Sequence, residues 1–139
     1  MQGFLSGKYN DGKIPETSRF TNPMLKAKYF EPYFGTPEKA AQTMELLAKY
    51  KDLCENKVGC TMAQFAIAWV AKYEHCSTCL IGASSLSMLT SNLEALKFIS
   101  KITDEIEKEV EEIFKTKPVQ EMNWLVRTPK PDKRLKANA

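Results

Sequence analysis

Three groups of residues in this chain have types and spacing that could do chemistry. The first is Cys79-Leu80-Ile81-Gly82-Ala83-Ser84-Ser85. Thr78 to Ile81 reads as a short strand, Gly82 ends it, and Ser84 or Ser85 can cap a helix running through Leu86, Leu89 and Leu93. A strand, a glycine turn and a serine-capped helix leave free backbone N–H groups at a positive helix end, which suits an anion such as phosphate. The same arrangement also serves as a purely structural turn. The second group is Gly7-Lys8-Tyr9 with Ser18-Arg19, two cations and a hydroxyl among small, flexible residues. It reads either as an exposed loop with ordinary surface charge or as a loop that closes over a phosphorylated ligand with Lys8 and Arg19 as counter-charges.

The third group is His75-Cys76-x-x-Cys79 with Cys54 and Cys60 upstream. It can be drawn as a zinc site, but Cys79 falls in the strand and Cys54 on a helix, and no second pair has the close spacing of a zinc knuckle. Reduced, buried or half-buried thiols fit better in a chain that reads as cytosolic. Cys76-Ser-Thr-Cys79 does not open a helix whose dipole would lower a thiol pKa, which argues against a redox pair. Glutamates are many, yet no separated pair of carboxylates suggests acid–base work.

The 139 residues are one domain's worth of chain, 43% hydrophobic and 27% charged, an ordinary globular composition. No apolar run approaches the roughly 20 residues needed to span a bilayer. Met1-Gln2-Gly3-Phe4 has neither the basic start nor the apolar core of a secretion signal, so a cytoplasmic location is expected. The net charge of +3 is uneven: residues 126–139 hold five cations against Asp132, so the other 125 residues carry −1. The basic character belongs to the tail, and no nucleic-acid surface is implied.

The elements that must position these groups read mostly as helices. Residues 1–35, punctuated by Gly3, Gly7, Gly12, Pro15, Pro23 and Pro32, are expected to be loop. Thr36-Pro37-Glu38 starts a helix with Ala40, Met44, Leu47, Tyr50 and Cys54 on one face to about Asn56, and Gly59 breaks it. Thr61-x-x-Gln64 is a capping box for a helix from Met62 to about Tyr73 that is apolar nearly all round, with Trp69 as core. A helix from Ser85 to about Lys97 follows the strand. Thr103-Asp104-Glu105 opens the last helix, with Ile106, Val110, Ile113 and Phe114 inward. Residues 117–139 form a basic, proline-containing extended tail with Trp124, Leu125 and Val126 as its docking point.

This inventory is one strand short of a sheet. A lone strand has no ladder partner, and burying its backbone groups unpaired is costly. The all-round apolar helix also asks for a second layer. A partner for the strand is missing.

Gly3-Phe-Leu-Ser-Gly-Lys-Tyr9 with Gly12-x-Ile-Pro-x-x-Ser-Arg19 resembles the loop after the seventh barrel strand in aldo-keto reductases, nearest the voltage-gated potassium channel β-subunit branch. Gly59-Cys-Thr-Met-Ala-Gln-Phe-Ala-Ile-Ala-Trp69 is similar to the seventh barrel helix. Leu80-Ile-Gly-Ala-Ser84 and Asn92 resemble the eighth strand and the cofactor-binding helix after it. The resemblance covers roughly residues 1–115 and implies the carboxy-terminal portion of a (β/α)8 TIM barrel, an α/β fold, with residues 1–116 as the barrel part. It implies NADPH as cofactor, with Lys8, Arg19, Gly82, Ser84 and Asn92 holding its phosphates and adenine end.

Two positions depart from the family pattern: Met88 where glutamine is usual and Ser91 where glutamate is usual. Both weaken the hold on the adenosine. The family's catalytic Asp, Tyr, Lys and His come from earlier strands and find no match here, and His75 lies in another segment. Without a proton donor the chain alone is not expected to be a reductase. It reads as a fragment of an oxidoreductase or channel β-subunit, or as a naturally shortened relative serving as a non-catalytic component of a larger assembly. In either case another chain, or the amino-terminal part of the barrel, covers its open edge. A third reading is an independent helical binding module using the apolar face of helix 62–73.

Overall fold

The computed structural model describes residues 3–116, together with the backbone of two short strands, β1 (Met122–Asn123) and β2 (Thr128–Pro129). The strands pair antiparallel, Met122 opposite Pro129 and Asn123 opposite Thr128. The expected docking residues Trp124, Leu125 and Val126 lie outside the described residues.

Thr36, Pro37 and Glu38 start α3 (Pro37–Asp52) as their types dictate. Thr36 Oγ1 accepts from the Lys39 N–H at 3.3 Å, and Pro37 fills a first-turn position that needs no donor. Leu47 and Tyr50 are buried, and a π-helical turn, Leu53–Val58, continues the same face through Leu53, Cys54 and Val58. Gly59, at φ +78°, ends it in the left-handed region. The N–H groups of Gly59 and Cys60 then both donate to the Cys54 carbonyl at 2.9 Å.

The capping box forms as read. The Gln64 N–H donates to Thr61 Oγ1 at 3.2 Å, while Gln64 Oε1 accepts from the Thr61 N–H at 3.0 Å. It opens α4 (Met62–Lys72), whose Met62, Gln64, Phe65 and Ala68 are buried and whose Trp69 packs against the main core. Tyr50 closes this joint: its hydroxyl donates to the Met62 carbonyl at 3.1 Å, and its ring meets Phe65 edge-on at 5.7 Å. Helix α5 (Leu86–Glu94), capped by Ser85, runs into a 3-10 segment, Ala95–Lys101. Helix α6 (Asp104–Phe114), capped by Thr103, turns Ile106, Val110, Ile113 and Phe114 onto the core. Lys72 holds that end of the molecule, donating to the Ile102 carbonyl and to Glu107, both at 2.6 Å.

The structure corrects two expectations. Residues 1–35 are not all loop. Asn22 Oδ1 accepts from the N–H groups of Met24 and Leu25 and starts α1 (Pro23–Leu25). A π-helical segment, Lys26–Phe30, and α2 (Glu31–Phe34) carry on to Gly35. Pro23 and Pro32 sit at first-turn positions, where a missing N–H costs nothing, so they start helices instead of breaking them. The helices enclose an aromatic cluster of Phe4, Tyr9, Phe20 and Phe30. Inside it Tyr9 and Ser18 share a hydrogen bond of 2.8 Å, and Phe34 reaches both this cluster and the main core.

The second correction concerns the strand. Residues 76–83 are irregular, Leu80 is 93% exposed, and no barrel strand exists among the described residues. An apolar run becomes a strand when a neighbour takes its N–H and C=O groups, and no described segment lies in position to do so. The observed architecture is therefore a helical assembly with an open, apolar connection where the strand was expected. Among the described residues no helix is long and apolar enough to cross a membrane.

Gly59 yields a prediction. A Cβ there would meet just Lys101 Nζ, at 3.8 Å, so the cost of Gly59→Ala is backbone strain alone. Thermal unfolding should show a loss of about 1 kcal/mol.

Candidate functional site

The five residues expected to hold an anion fall in two places. Lys8 and Arg19 precede Tyr9 and Phe20, two members of the aromatic amino-terminal cluster. Lys8 Nζ lies 5.8 Å from the Tyr9 ring centroid, with Tyr9 itself 1% exposed. Arg19 opens a 3-10 turn, Arg19–Thr21, whose start is fixed by Ser18 Oγ accepting from the Phe20 N–H at 3.1 Å. Both cations are therefore exposed ends on an anchored base.

Gly82, Ser84 and Asn92 belong to the connection into α5. Asn92 Nδ2 donates to the Gly82 carbonyl at 3.3 Å, tying the glycine turn to the helix that follows it. Ser85 Oγ, not Ser84, caps α5, accepting from the Met88 N–H at 3.2 Å. That leaves the Ser84 hydroxyl exposed, and the first N–H groups of α5 have no intrahelical partner. A Cβ at Gly82 would meet nothing within 4 Å, so the turn is open to an approaching group.

The start of α4 brackets these two places. On one side the Gly7 turn, at φ +79°, comes so close that a Cβ on Gly7 would stand 3.2 Å from Met62 Sδ. Asn10 Nδ2 donates to the same sulfur at 3.3 Å, while Asn10 Oδ1 is buried without a partner. On the other side Gln64 Nε2 donates to the Ser91 carbonyl at 3.1 Å and to Ser91 Oγ at 3.3 Å. Sequence reasoning found Gln64 as a capping residue and missed its reach to Ser91, 27 positions on, because no local pattern encodes a contact between helices.

Acid–base groups are dispersed. His75 is about half exposed, 3.2 Å from its neighbour Glu74 and edge-on to Tyr73. Tyr50 is held well above the usual phenol range, chiefly by burial and then by the neighbouring Cys54, so it keeps its proton. Cys54 is buried, and burial first, with Cys60 nearby, pushes its thiol up to about 12. Burial likewise raises Cys60. Cys76 and Cys79 lie half-buried in the irregular connection. Among the described residues no three His, Cys, Asp or Glu side chains gather to hold a metal.

Comparison with known proteins gives two findings. The family model described as "Aldo/keto reductase family" matches residues 1–115. A Schizosaccharomyces pombe protein described as "Putative voltage-gated potassium channel subunit beta" is 36% identical over 118 residues, 85% of this chain and 33% of that protein. The chain thus spans about a third of the length of that curated relative.

The thiols give a test. A raised thiol pKa keeps Cys54 protonated in the folded state, with about a thousandfold less thiolate at neutral pH than an ordinary cysteine. Alkylation followed by mass mapping should mark Cys76 and Cys79 first, and Cys54 and Cys60 upon unfolding. The same shift makes stability pH-dependent. The Cys54 contribution is full below the unfolded thiol value near 9 and falls as pH rises towards about 12, because the unfolded chain alone releases the proton in that window.

Proposed function

The chain belongs to the aldo/keto reductase family, and we propose that it supplies the phosphate and adenosine half of that family's NADPH site. Residues 1–116 form the carboxy-terminal portion of a (β/α)8 barrel in this reading, with residues 117–139 as a tail. Lys8 and Arg19 neutralise phosphate charge, Ser84 and the first N–H groups of α5 donate to phosphate oxygens, and Asn92 fixes the turn at Gly82. The observation that carries this reading is the open Gly82 turn, tied by Asn92 to α5 and followed by the exposed Ser84.

The donor set fits a phosphorylated nucleotide: cations, hydroxyls and backbone N–H groups, with no carboxylate among them. Met88 and Ser91, in place of the glutamine and glutamate usual in the family, leave the adenosine end weakly held. Bound NADPH supplies a hydride, but reduction also needs a positioned proton donor. Tyr9 and Tyr50 are buried and already hydrogen-bonded, and His75 stands beside Glu74 in an exposed turn. In this reading the chain alone does not reduce aldehydes, since the family's catalytic Asp, Tyr, Lys and His come from earlier strands. Those groups, the substrate and any channel partner belong to the remainder of the barrel or to another chain.

A second reading, that of a non-catalytic component of a cytoplasmic assembly, is favoured by the connection into α5. Leu80, Leu86, Leu93 and Leu96 are each more than half exposed there, as they would be where another layer covers them.

Calorimetry separates the two. Adenosine 2′,5′-bisphosphate and NADP⁺ should bind at about millimolar strength, roughly 4 kcal/mol, and Arg19→Ala should abolish the signal. Equal heats from the variant would remove Arg19 from the site, and no heat from the native chain would leave the assembly reading.

A further inference from the structure

Helix α5 carries the Asn92 and N–H groups of the proposed site and begins two residues after Ser84, yet none of its own side chains is fully buried. Packing alone holds it loosely, so the polar tie to α4 carries more weight than such a bond does in a well-buried helix. That tie is the Gln64 amide. In a regular helix the Ala95 N–H would take the Ser91 carbonyl. Here the Ala95 N–H turns to the Asn92 and Leu93 carbonyls, the helix tightens into the 3-10 segment, and Gln64 Nε2 takes the Ser91 carbonyl in its place. Ser91 Oγ accepts from the same nitrogen. The next residue is Asn92, which holds Gly82.

Gln64 is also 7% exposed, and its other end, Oε1, is fixed by the Thr61 N–H. The amide is thus held at both ends. Hydrogen bonds lead from the start of α4 to Ser91 and from the next residue along the chain, Asn92, to the glycine turn. We infer that Gln64 is the positioning residue of the anion half-site, setting where α5 and the Gly82 turn stand through its bonds to Ser91. The inference rests on the cofactor reading above and adds a residue that touches no ligand.

The test uses the full 139-residue chain and its variants, with adenosine 2′,5′-bisphosphate as probe. Gln64→Glu keeps the acceptor for Thr61 but replaces the donor to Ser91 with a carboxylate. Thr61→Ala breaks the cap and leaves the donor. Nuclear magnetic resonance of the labelled chain should show the Asn92 side-chain amide and the Gly82 N–H shifting in Gln64→Glu before any probe is added. Probe affinity should fall about tenfold, with little change in Tm. Ser91→Ala, which loses one of the two bonds, should fall about threefold. Thr61→Ala should lower Tm while its affinity stays within about twofold of the native chain. Unmoved Asn92 and Gly82 signals in Gln64→Glu, or equal loss of affinity in Thr61→Ala, would overturn the positioning role. Failure of the native chain to bind the probe, with those signals still moving in the variant, would overturn the cofactor reading and the role assigned within it.

Discussion

Backbone hydrogen bonding is the constraint on which the rest of this structure depends. Every peptide group that leaves water must find a partner. The helices meet that demand within themselves and close their ends with Thr36, Thr61, Ser85 and Thr103. The segment from Cys76 to Ala83 cannot, because a strand's partners lie on other strands. It stays at the surface with Leu80 and Ile81 outward. The helix that follows inherits that exposure: α5 has no buried side chain of its own and is held by the Gln64 amide, by Asn92 and by the buried Ala95 just beyond its end.

The remaining elements close well without that sheet. An aromatic cluster around Phe4, Tyr9, Phe20 and Phe30 organises the amino-terminal turns, and a second core joins α3, α4 and α6 through Tyr50, Phe65 and Phe114. Met62 and Gln64, one turn of one helix, touch Asn10 and Ser91, which lie beside the two parts of the candidate site in sequence. Besides closing the cap with Thr61, the Gln64 side chain reaches Ser91 on α5. The chain spans 33% of the length of its curated relative.

Local signals in the sequence were legible where the physics is local. The cap at Thr36, the capping box at Thr61 and Gln64, the break at Gly59 and the inward face of α6 all follow from residues within a few positions of one another. Pro23 and Pro32 misled because proline breaks a helix interior but suits a first turn, and position within the helix is what a count of prolines omits. The strand at Thr78–Ile81 has the right residue types, and the structure withholds it because strand formation is decided by a neighbour. The bond from Asn92 to Gly82 and the tie from Gln64 to Ser91 join residues 10 and 27 positions apart, beyond the reach of local patterns.

Light scattering on the purified chain, followed by thermal unfolding, tests the central claim of an open barrel sector most directly. Burial of apolar surface is worth about 25 cal/mol per Å², and the side bearing Leu80, Leu86, Leu93 and Leu96 stands uncovered in the isolated chain. The account predicts association that grows with concentration and a broad unfolding transition. A monodisperse monomer with a sharp, cooperative transition would contradict it, since the fold would then close by itself.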